Sequence, residues 1–135
     1  MEDVQMQHEE LTRVIIGCAY DVYNAMGSGF LESVYEACLK MDLEDRGLVV
    51  ESQAPIVVRY RGRVVGEFLA DLFVGKTVIV ELKAVRTLLA VHEVQVVNYL
   101  TATGIDIGLL INFGDEKVEV KRKHRTPLKR EGDED

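Results

Sequence analysis

Between residues 49 and 84 the chain carries three β-rich runs, "APIVVRY", "RVVGEFLADLFV" and "TVIVELKA", parted only by "RG" and "GK". Breaks this short read as hairpin turns between successive strands. Pro55 belongs at a strand start or on an edge, because it cannot donate to a ladder. The flanking texture is different. Over residues 9–26, Leu11, Val14, Ile15, Cys18, Ala19, Val22 and Met26 recur at helical spacing. "GSG" at 27–29 breaks that helix. A second follows over residues 30–46, with Ser28 as a cap and Gly47 as a stop. Residues 88–103 again read as helix, ended by Gly104. "IGLLINF" is continuously apolar, as a buried strand is, and "KVEVKR" alternates as an edge strand does. The order is helix, helix, three strands, helix, one or two strands. It predicts an α/β (α+β) domain in which a mixed central sheet is flanked by helices. No repeat or linker divides it, so one domain over 1–135 is expected, its core at about 9–123 and a flexible tail at 124–135.

With 47% apolar and 29% charged residues in 135, the chain can bury a core, and no apolar run is long enough to cross a membrane. The acidic start "MEDVQMQHEE" does not resemble a secretory signal, which gives a cytoplasmic expectation. Cys18 and Cys38 lie on apolar stripes and read as small core residues; with His8 and His92 they show no zinc-ligand spacing. The net charge of −7 argues against a surface that grips DNA indiscriminately. "KVEVKRKHRTPLKR" stands apart, with seven Lys or Arg and one Glu. It could meet phosphate, and a solvated strand end with a frayed terminus is the plainer reading.

Within "DLFVGKTVIVELKA", residues 71–84, three charged side chains interrupt an apolar hairpin: Asp71, Glu81 and Lys83. A two-residue turn pairs Asp71 with Val80 and sends the acids to opposite faces. A three-residue turn, or one bulge, pairs Asp71 with Glu81. The second arrangement is expected, because two adjacent carboxylates have a use. They repel, and burying either costs several kcal/mol unless it is paired. Hard oxygen donors of this kind suit Mg²⁺ or Mn²⁺. Lys83, two residues on, would then lie beside the ion. A salt bridge at a sheet edge explains the same three residues and, taken alone, is the plainer reading. Glu32 in "GFLESVY" is assigned to the inward stripe of Tyr35 and Leu39, where an acid needs a partner. Gln95 and Tyr99 share a helical face with Leu88 and His92.

Taken together, Gly29-Phe30-Leu31-Glu32-Ser33-Val34-Tyr35, "LTRVIIGCAYDVYNAMG", "LADLFVGKTVIVELKAV", "HEVQVVNYL" and "GLLINFG" resemble the GxxExxY proteins of the PD-(D/E)XK nuclease superfamily. The resemblance spans roughly residues 9–114. It implies a restriction-endonuclease-like core and a Mg²⁺-dependent (or Mn²⁺-dependent) nuclease that cleaves phosphodiester bonds with a metal-activated water. On it, Glu32, Asp71, Glu81 and the carbonyl of Leu82 hold the metal. Lys83, Glu81, Asp71 and Gln95 are catalytic, and Gln95, Tyr99 and Tyr35 meet the substrate. Gln95 and Tyr99 match the Gln-x-x-x-Tyr motif of the exonuclease-like branch. The chain departs from the pattern at Ala70, where a proline is usual, and at Leu69, where relatives often carry arginine. The implied partner is nucleic acid, DNA ahead of RNA. A second reading is a catalytically inactive nuclease-fold module for nucleic-acid binding or assembly, with "IVVRY" and "VEVKR" as edges through which copies would associate.

Overall fold

The structure, a computed structural model, describes residues 4–126. Its elements run α1 (Val4–Met26), α2 (Glu32–Asp45), β1 (Val50–Tyr60), β2 (Arg63–Val74), β3 (Val78–Lys83), α3 (Ala90–Thr103), β4 (Ile107–Phe113) and β5 (Val118–His124). The five strands form one sheet in the order β1-β2-β3-β4-β5. Only β3 and β4 are parallel, and α3 is the crossover that joins them. This is the mixed α+β architecture expected from the order of periodicities. The flexible tail expected at 124–135 falls almost wholly outside the described residues. Among those residues, no helix is long and apolar enough to cross a membrane.

Alternation along β3 divides the core. Val78, Val80 and Leu82 join Ile15, Cys18, Tyr35 and Leu39 under α1 and α2. Ile79 points the other way and packs with Tyr99 and Leu100 of α3. β4 is buried along its whole length, as its unbroken apolar run requires of a central strand. Gly108 lets α3 lie close on β4, since a Cβ there would come 2.8 Å from the Val96 side chain. Gly104 ends α3 with φ of +75°. Pro55 sits inside β1, which is an edge strand.

Two local expectations fail. Ser28 does not cap α2; the N-cap is Leu31, which has no capping side chain. What holds the preceding loop is Tyr35, whose hydroxyl donates to the Gly27 carbonyl at 2.6 Å and accepts from the Phe30 N–H at 3.3 Å. Tyr35 is fully buried and stacks on Phe113 at 4.3 Å. A substrate cannot reach it, so its assignment as a substrate-binding residue is corrected: it is a strut that ties the Gly27–Phe30 loop to the core.

Three cations of the basic run near the C-terminus are spent on its own fold. Arg122 reaches the buried Thr12 of α1, Lys123 pairs with Glu93 of α3 at 3.0 Å, and Arg125 pairs with Asp106 at 2.9 Å. These contacts pin the outer strand to both helical layers.

Candidate active site

The β2–β3 hairpin closes through Gly75, Lys76 and Thr77, because Val74 pairs with Val78. A three-residue turn therefore sets Asp71 opposite Glu81. Pairing between the two strands stops one step earlier, at Leu72 and Val80. Beyond that point β3 continues against β4, while β2 continues against β1 alone. The two acids stand where the strands part.

They replace the missing rungs of the ladder. The Asp71 N–H donates to Glu81 Oε1 at 3.1 Å, and the Leu82 N–H donates to Asp71 Oδ2 at 2.8 Å. Each carboxylate thus spends one oxygen on the backbone of the other strand. Charge-assisted bonds of this kind fix carboxylate orientation better than neutral ones do. Glu81 is only 6% exposed, and burial, followed by the nearby Asp71 charge, pushes its pKa up to about 8. Lys83 opposes that shift. It is half-buried on β3, in register with Asn112 of β4.

Strict alternation along β2 also breaks at Asp71. Leu72 belongs to the core under α1 and α2, whereas Ala70, two residues away, belongs to the core under α3. The cause lies across the ladder. Gln53 of β1 has φ of +53°, and the pairing skips from Ser52–Leu72 to Ala54–Ala70. A left-handed glutamine costs on the order of 1–3 kcal/mol. Its side chain recovers some of that through the site: Gln53 Nε2 donates to Glu36 Oε1 at 2.7 Å and, weakly, to Asp71 Oδ1 at 3.4 Å.

The acid that α2 brings to this place is therefore Glu36 and not Glu32. Glu32 is exposed in the first turn of α2, which corrects its assignment to the inward stripe. Glu36, one turn on, is half-buried and accepts from Ser52 Oγ at 3.1 Å as well as from Gln53. Its pKa is raised by burial and then by the Asp71 charge. Sequence spacing contained the signal, because Glu36 lies at i+4 from Glu32 and i−3 from Leu39.

From the opposite face, α3 presents Gln95 and Tyr99. Gln95 Nε2 donates to the Tyr99 hydroxyl at 3.0 Å. Tyr99 is 6% exposed and has Phe68 of β2 against its ring. Burial raises its pKa, and the charges of Glu81 and Asp71 raise it further, so α3 and the acid pair share one electrostatic environment. The tyrosine is walled off, and Gln95 is the more accessible of the two.

A further residue escaped the sequence reading. Asn112 is fully buried on β4, accepts from the Val85 N–H at 2.9 Å and donates to the Val85 carbonyl at 2.8 Å. It anchors the chain two residues past Lys83. An apolar strand with a single Asn was the available signal.

Hard carboxylate oxygens in a partly desolvated site suit a small divalent cation. Among the described residues, no three Asp, Glu, His or Cys side chains form a ready-made cage. Magnesium commonly needs none, since one or two carboxylates complete its shell with water and substrate phosphate.

A family model for the PD-(D/E)XK nuclease superfamily matches residues 9–123. Among solved structures, the crystal structure of SSO0001 is similar with a TM-score of 0.57 and 19% identity, over 72% of this chain and 50% of that one. The present chain thus spans about half the length of that protein, and the likeness concerns the fold alone. No curated protein matches the sequence.

Proposed function

The chain belongs to the PD-(D/E)XK nuclease superfamily, and from that premise we propose that it hydrolyses nucleic-acid phosphodiester bonds with a divalent cation, Mg²⁺ or Mn²⁺. Within the superfamily the Gly29–Tyr35 motif groups it with the GxxExxY proteins. The observation that carries the reading is the reciprocal bonding of Asp71 and Glu81 where β2 and β3 part, with Lys83 two residues along.

Asp71, Glu81 and the carbonyl of Leu82 would hold the ion. Glu36 takes the place of Glu32 as the helical acid, steadying Asp71 through Gln53. When bound, the cation supplies water activation and neutralises charge on the phosphate. Lys83 holds a positive charge where the attacking water and the phosphoryl oxygens meet, which lowers the cost of charge developing there. Gln95, propped by Tyr99, orients the water or a phosphate oxygen. The buried sheet and α3 restrict water around the acids, so each of these charges acts in a low dielectric.

The test is to incubate the protein with labelled single- and double-stranded DNA and RNA in Mg²⁺, Mn²⁺ or EDTA. Metal-dependent fragments are expected. Lys83→Ala should lower cleavage by about 10²–10³-fold, the usual cost of removing one electrostatic stabiliser, and leave ion binding intact. Equal cleavage by Lys83→Ala overturns the assignment of roles, and a lack of fragments under every condition favours the non-catalytic binding module.

A further inference from the structure

After leaving β3, β1 and β2 run on as a two-stranded arm, turned at Arg61 and Gly62, both with positive φ. Its far half, residues 57–67, carries three arginines and one acid, Glu67, in a chain of net charge −7. Arg59, Arg61 and Arg63 are exposed, and among the described residues none of them makes an ion pair. This sets them apart from Arg122, Lys123 and Arg125, which are engaged with α1, α3 and Asp106. Aromatic surface is carried on the same arm. Tyr60 is 61% exposed with Arg61 over its ring, and Phe68 is 46% exposed.

A groove of about 830 Å³ separates this arm from α3, and its walls include Val57, Arg59, Phe68, Val94, Gln95 and Asn98. Two of its features touch Tyr99. Gln95 faces the groove and is bonded to Tyr99, and Phe68 rests on the Tyr99 ring. The same tyrosine feels the charges of Glu81 and Asp71, which puts the groove on the acid pair's side of the sheet.

We infer that the arm and α3 form a track for an unpaired nucleic-acid strand, directed at the acid pair; the inference rests on the nuclease reading of that pair. Arginines without acidic partners match a phosphate backbone, which few other occupants would do. Exposed aromatic and aliphatic side chains in the groove match base faces, and only an unpaired strand offers those. A duplex keeps its base faces stacked inside and would leave the apolar wall in water.

Binding is measured by fluorescence anisotropy on the full chain, with labelled dT and U strands of about 20 nucleotides, longer than one site, and a duplex of equal length. It is run in EDTA and then, on a Lys83→Ala background, in Mg²⁺. Single strands are expected to bind at least about tenfold tighter than duplex. The triple variant Arg59→Gln, Arg61→Gln, Arg63→Gln should lose about tenfold or more and lower the logarithmic salt slope by about 2, at roughly 0.7 per phosphate. Phe68→Ala should lose about tenfold with the salt slope unchanged. Circular dichroism establishes that each variant is folded, and the arginine variant touches no core residue.

Parent-like affinity and salt slope in the triple variant overturn the inference, as does a preference for duplex or absence of binding in both buffers. So does a change of oligomeric state in the arm variants, by sedimentation, without a change in strand affinity; the arm is then a contact between copies. Arm-dependent binding by a protein that cleaves nothing sinks the nuclease reading and keeps the track. Cleavage that does not depend on the arm does the reverse.

Discussion

Glu32 and Glu36 show how a correct motif can point to the wrong side chain. Both lie on one helical face, and which of them reaches the hairpin depends on where α2 begins and how it sits on the sheet. Periodicity fixes the face and leaves the turn open. The consequence is measurable: Glu32→Gln should leave cleavage within about twofold, and Glu36→Gln should lower it by about 10–100-fold, the range for partners that orient metal-binding groups. Steady-state rates with labelled strands separate the two. Glu81 yields a second prediction. Its folded pKa of about 8 lies above the ordinary 4.5, so between those values the folded protein binds a proton that the unfolded chain releases. Metal-free stability must then fall as pH rises from about 4.5 to about 8, by no more than about 1.4 kcal/mol per unit. Urea melts in EDTA across that range check the slope, and Glu81→Gln should reduce it, leaving the part that the raised pKa of Glu36 contributes. For Asn112 the lone polar residue in an apolar strand was visible but its partner was not, since Val85 lies 27 residues away. Asn112→Leu leaves the Val85 amide and carbonyl unpaired, at about 1–3 kcal/mol for each buried group, and a urea melt reads that loss directly.

At the scale of elements the sequence was far more transparent. Short breaks predicted the two hairpins, continuous apolarity predicted central β4, and alternation predicted edge β5. Each of these is a local pattern tied to burial on one or both faces. The failure of parity at Asp71 was not legible, because its cause, Gln53, is on another strand and carries no glycine or proline to mark it. The position of α3 depends on Gly108 in a similar way. A Cβ would meet Val96 at 2.8 Å, and the wall it meets is a packed side chain with Leu100 close behind. Gly108→Val should therefore lift α3, cost about 1–3 kcal/mol and reduce cleavage by displacing Gln95. Thermal melts and rates measured on the same preparation should fall together.

For the molecule as a whole, the distribution of charge says more than its sum. A net −7 argued against a surface that grips DNA indiscriminately, yet that sum conceals a cationic arm and an acidic fork along the same strand, β2. On the proposed function the fork binds a divalent cation, and binding of that kind stabilises by mass action, by about 2.7 kcal/mol at a hundredfold excess over Kd. Mn²⁺ or Mg²⁺ should accordingly raise the unfolding midpoint, and more at pH 8 than at pH 6, since below about 8 the ion must displace the proton on Glu81. Differential scanning fluorimetry with and without EDTA is sufficient to see it; an equal gain at both pH values would place the ion elsewhere.

The early parting of β2 from β3 also has a mechanical meaning. Beyond Asp71 the hairpin of β1 and β2 is a cantilever, rooted in the short segment that carries the acid and propped where Phe68 leans on Tyr99. On the track proposed above, a strand held at the tip would load that root and couple its grip to the distance between Asp71 and Glu81. The Asp71 amide, tethered to Glu81 across the gap, is the natural gauge of it, and its hydrogen exchange should slow when the tip is loaded.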